Sequence, residues 1–111
     1  MNIYDTANRL ASEIKESEEY KTYKDAKQKL NSNMEIKNKV QEFDKLRVDT
    51  QKAMLKGESN SNELSVKLQN LYTELYQNEI AKNYLDSEMK FSVMVTDINK
   101  IISEAIKDVL E

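Results

Sequence analysis

A chain of 111 residues with no proline and one glycine, Gly57, has few means of making tight turns. Glycine and proline supply most turn geometry and are also the residues that interrupt helices. Lys, Glu, Leu, Gln and Ala, all good helix formers, are abundant instead. The composition therefore predicts an all-α fold. High charge does not imply disorder here, because Leu, Ile, Val, Met, Tyr and Phe recur throughout the chain, so the charges read as the wet faces of helices.

Periodicity divides the chain into an antiparallel helical bundle of about four to five helices in a single domain, 1–111. Helices are expected at 2–16, 18–31, 34–56, 62–77 and 79–109. Asn2 can cap the first, whose Ile3, Ala7, Leu10 and Ile14 recur at four, three and four. Ser17 is placed to cap the second, with Glu18 and Glu19 in its first turn and Tyr20, Tyr23, Ala26 and Leu30 on its buried side. Asn31, Ser32 and Asn33 compete with helical hydrogen bonds and mark a turn. The third helix carries Ile36, Val40, Phe43 and Leu46, its stripe weakened by Arg47, Asp49, Thr50 and Gln51, and Gly57 is suited to a left-handed stop. After the loop GESNSN, Leu64, Leu68, Leu71 and Leu75 define a fourth helix, and Asn78 is the break before the last.

The long terminal helix holds the main functional signal. Phe91, Val95, Ile98, Ile102, Ala105 and Val109 recur at four, three, four, three and four, and Met94, Ile101 and Ile106 widen the seam. At ~1.5 Å rise per residue such a helix is roughly 45 Å long, whereas a compact domain of this length has a radius of gyration of only ~13 Å. A ridge of that length is expected to find its cover on a second chain. The oligomer or partner interface is accordingly assigned to Phe91, Met94, Val95, Ile98, Ile101, Ile102, Ala105 and Val109. The expected partners are a second copy, a homodimer in the simplest case, and a further protein whose identity the residues do not specify.

Composition also removes most chemistry. There is no histidine and no cysteine, hence no side chain that ordinarily titrates near neutrality, no thiolate and no disulfide. Glu16, Glu18 and Glu19, or Asp86 and Glu88, are the nearest thing to a metal or acid/base cluster. Helical carboxylate metal sites complete their ligand sets with histidine, so these residues read better as helix-capping and solvated charge. One glycine cannot build a phosphate-binding loop. No enzyme activity and no cofactor are expected. The first 20 residues are too charged for a signal peptide, and no run of ~18 apolar residues could span a bilayer; a cytoplasmic protein is expected.

The formal net charge of −3 argues against a general nucleic-acid binder. Locally, Lys21, Lys24 and Lys27 form a short basic stripe interleaved with Tyr20 and Tyr23. An RNA-binding accessory protein using that stripe is the alternative reading, set against the commoner case of a solvated helix face.

Several stretches also resemble a known family. IYDTANRLA (Ile3 to Ala11), ESEEYKTYKDAK (Glu16 to Lys27), Glu42-Phe43, the lone Gly57 and LQNLYTELYQN (Leu68 to Asn78) before a long terminal helix are similar to the YlbF/YmcA family of small helical bacterial regulators, most of all to its YheA-type, UPF0342-like branch. The resemblance implies an all-α protein, oligomeric through its helices, from a Firmicutes-type bacterium. It also implies a non-enzymatic regulator. In that family YlbF and YmcA join a third protein in a complex that influences competence, sporulation and biofilm formation and modulates RNA processing by RNase Y. That complex binds iron-sulfur clusters through cysteines, which this chain lacks, so cluster binding is not carried over.

Overall fold

Four of the helices start where a short polar side chain takes the place of a missing backbone partner. In the computed structural model, which describes residues 2–111, Asn2 Oδ1 accepts from the Tyr4 amide at 2.8 Å and opens α1, Ile3–Glu16. Ser17 Oγ accepts from Tyr20 at 3.1 Å and opens α2, Glu18–Asn31. Asn33 does the same for α3, Met34–Lys56, and Asn78 for α5, Glu79–Ala105. α4, Ser61–Tyr76, follows the glycine loop, and α6, Lys107–Leu110, ends the chain.

Gly57 stops α3 in the left-handed conformation, φ 66°. Its amide donates to the Met54 carbonyl and that of Glu58 donates to Ala53, the paired bonds that satisfy a helix's last carbonyls. An added Cβ at Gly57 would meet nothing within 4 Å, so replacing it costs backbone strain alone. Gly57→Ala is expected to lower stability by about 1 kcal/mol, readable as a lower denaturant midpoint with unchanged slope.

Two antiparallel helix pairs carry the packing. α3 and α4 form a hairpin, joined near its open end by Lys39 Nζ donating to Glu74 Oε1 at 2.6 Å and by Phe43 against Tyr72. α2 lies along the first half of α5, with Tyr20 and Tyr23 against Phe91 and Tyr23 against Tyr84. Where the pairs meet, Ala26, Leu30, Ile36, Val40, Phe43, Leu75, Ala81 and Tyr84 form one buried cluster. Tyr76 ties α4 to α5 by donating to Asp86, and Lys82 sits over its ring.

Two details depart from the sequence reading. Thr50, counted among the residues that weaken the α3 stripe, is buried, because its hydroxyl donates to the Leu46 carbonyl at 2.7 Å and needs no water. The terminal helix does not run unbroken to Val109: it ends at Ala105, Ile106 leaves helical geometry (φ −109°, ψ 8°), and α6 follows. Residues 101–111 are all exposed, so no packing holds that last turn in line.

The molecule is long and flat, 54 × 39 × 16 Å, with a radius of gyration of 18.1 Å. That exceeds the ~13 Å of a compact domain of this size. The excess comes from its two ends. α1 contacts only α2, and residues 101–105 of α5 are all exposed.

Candidate partner interface

The face of α5 changes character along its length. Ala81, Tyr84 and Ser87 are buried in the bundle. Phe91 is half-buried and committed to its own chain, its ring 5.3 Å from Tyr23 and 6.1 Å from Tyr20. Met94, Val95 and Ile98 are half-buried, and Met94 and Ile98 share a groove with α2. Beyond them cover stops: Ile101 is 70 % exposed, Ile102 49 % and Val109 76 %, with Ala105 also exposed. The eight seam residues therefore fall into an inner group that faces α2 and an outer group that faces nothing.

A groove of ≈ 760 Å³ runs beside the inner group, between Glu18, Glu19 and Thr22 of α2 and Lys90, Met94 and Ile98 of α5. Its lining mixes charged residues with the apolar side chains of Met89, Val93, Met94 and Ile98. A second bare surface lies on α1, whose Ile3, Ala7, Leu10 and Ile14 recur at helical spacing. α1 has no buried residue; Ile3 is 78 % exposed, and Leu10 and Ile14 are only half-buried. A helix with apolar residues at three- and four-residue spacing ordinarily buries that face; here the extended backbone of Ser17 (φ −66°, ψ 151°) turns α1 away before it can do so.

Lys21, Lys24 and Lys27 are exposed on α2. The tyrosines between them in sequence are not available beside them as stacking platforms, since Tyr20 and Tyr23 are engaged with Phe91 and Tyr84 of α5. Among the described residues no three carboxylates come close enough to hold a metal ion. With no cysteine, the chain has no ligands for an iron-sulfur cluster.

Two tyrosines titrate abnormally for structural reasons. The hydrogen bond to Asp86, then desolvation and the Asp86 charge, push the Tyr76 hydroxyl from its ordinary 10.0 up to about 12. Burial, then a hydrogen bond with Tyr23 and the charge of Glu88, push Tyr84 up as well. A raised folded-state value means stabilisation that is complete below the unfolded value and disappears as pH climbs through the folded one. For Tyr76 that window is pH 10 to about 12. Absorbance titration of tyrosinate should show two late-titrating groups, and Asp86→Asn should move one of them back toward the ordinary value.

Fold and surface together define a class: small, open all-α bundles whose main uncovered feature is an apolar helix face. The chain belongs to the family described as Control of competence regulator ComK, YlbF/YmcA, which it matches over residues 3–107. It is 36 % identical over 105 residues to a UPF0342 protein of Caldicellulosiruptor saccharolyticus, covering 95 % of this chain and 88 % of that one. With a UPF0342 protein of Desulfitobacterium hafniense it shares 37 % over 110 residues, covering 99 % and 89 %. Among solved structures, a chain of the Bacillus subtilis complex of RicA with RicF has the same fold with a TM-score of 0.61 at 19 % identity, covering 98 % of this chain and 96 % of that one. No helix among the described residues is long and apolar enough to cross a membrane.

Proposed function

We propose that the chain is a non-enzymatic, cytoplasmic helical regulator that self-associates and binds another protein through the distal face of α5. The observation that carries this reading is the run of large apolar side chains from Ile101 to Val109 left without cover in a folded chain. Isolated exposed leucines are ordinary, but a contiguous apolar patch on a small soluble chain marks an interaction surface. Family membership and the RicA–RicF complex, in which a protein of this fold is bound to a second protein, support the same reading. The regulated process is then of the kind the family controls.

The test is the mass of the chain in solution by light scattering, from micromolar to millimolar concentration and at low and high salt. The expected result is a dimer or larger species that survives high salt, because burial of apolar surface is not screened as exposed charge is. A monomer under all these conditions would contradict self-association. Assembly that dissolves as salt is raised would point to charge, and to the lysines of α2, instead.

A further inference from the structure

The two bare surfaces, α1 and the distal part of α5, fit each other. α2 has 14 residues and α5 has 27, so α2 can cover only about half of its partner. The pairing is antiparallel, with Tyr20 and Tyr23 against Phe91 and Tyr23 against Tyr84, so a segment continuing backwards from α2 in the same line would run beside the rest of α5. α1 is that preceding segment, and it also has 14 residues. Yet it is not there: it contacts no helix but α2.

An antiparallel register within the range of the α2–α5 ring contacts sets Ile14 opposite Ile98, Leu10 opposite Ile102 and Ala7 opposite Ala105. The flanking charges match as well. The same register brings Lys15 to Asp97 and sets Glu13 and Arg9 one residue from the positions facing Lys100 and Glu104, opposite signs in each case. A 14-residue helix with no buried side chain also lacks what normally maintains a helix, since isolated helices shorter than ~12–15 residues are marginal in water.

What keeps α1 from its own α5 is built into Ser17. Its backbone is extended, its amide and hydroxyl both donate to the Ile14 carbonyl, at 3.1 and 2.6 Å, and its oxygen caps α2. We propose that α1 of one protomer seats on the distal face of α5 of a second copy, and reciprocally, so that the pair assembles by exchanging amino-terminal helices about Ser17. A second copy is the fitting occupant because it brings both complementary faces at once and closes with two-fold symmetry, leaving neither uncovered. The inference rests on the self-association proposed above and names the contact that produces it.

The absence of native cysteine makes the contact directly testable. L10C/I102C, oxidised and run on a non-reducing gel, is expected to give a covalent dimer, while L10C and I102C alone stay monomeric. A7C/A105C, which removes no large side chain, should give the same pattern, and circular dichroism checks that each variant is folded. An internally bridged monomer would place α1 on its own α5 and overturn the exchange. So would the absence of any bridge in a chain that light scattering shows to be dimeric, which leaves self-association standing. A wild-type chain that is monomeric by light scattering would remove both readings together.

Discussion

Replacing Ile101 and Ile102 together by aspartate converts the self-associated chain to monomers and leaves its helix content unchanged. These two are chosen because they are the large seam residues within α5 that are exposed, 70 % and 49 % in the single chain. Ile98, half-buried beside α2, would confuse lost association with lost folding. A symmetric pair covers both residues twice. At about 1.5 kcal/mol for each isoleucine, the low end for a side chain of this size, the lost burial comes to roughly 6 kcal/mol. Since 1.4 kcal/mol is tenfold in Kd, even half of this is at least a ~100-fold weakening. Burying the new carboxylates adds a further penalty in the same direction. The measurement is mass by light scattering together with circular dichroism at 222 nm; a variant that keeps both its mass and its helicity would exclude the distal α5 face as the contact.

The same helix shows how far the residues speak for themselves. The caps at Asn2 and Ser17 were legible, because each acts on an amide two or three residues away and its chemistry is local, whereas Asn33 and Asn78, read only as a turn and a break, prove to be caps as well. The left-handed stop at Gly57 was legible for the same reason. The all-α class followed from composition, and family membership from short stretches spread along nearly the whole chain. What depended on a distant partner was not. Thr50 and Ser87 are buried polar residues that no periodicity marks as core; each hides its hydroxyl in a bond to a nearby carbonyl, Leu46 and Tyr84 respectively. Phe91 and Ile102 sit on one apolar stripe, yet the first is spoken for by Tyr20 and Tyr23 and the second is bare. The difference lies in the length of α2, which ends before it can reach further along α5, and in the turn at Ser17 that removes α1. Periodicity reports that a face will be covered; it is silent on which chain supplies the cover.

Leu75→Ala is expected to be the most damaging single substitution in the bundle. Leu75 is 1 % exposed and belongs to one cluster with Leu30 of α2, Ile36 and Val40 of α3 and Tyr84 of α5. It is therefore the point where both helix pairs meet. Truncating a buried leucine to alanine costs about 2–5 kcal/mol, the spread depending on how far the surroundings collapse into the cavity. Elements from four helices bound this site, and none can move in without leaving the others, so the upper half of the range applies. A domain of this length has only about 5–15 kcal/mol to lose, and an elongated one with a radius of gyration of 18.1 Å buries less than a compact one. The melting temperature should fall by roughly 10–20 °C. Leu55→Ala is the matched control, since Leu55 is 84 % exposed at the end of α3 and should change stability by no more than about 0.5 kcal/mol. Equal melting temperatures for the two variants would mean that the helix pairs are not joined at Leu75, and that the buried cluster does not hold the bundle together.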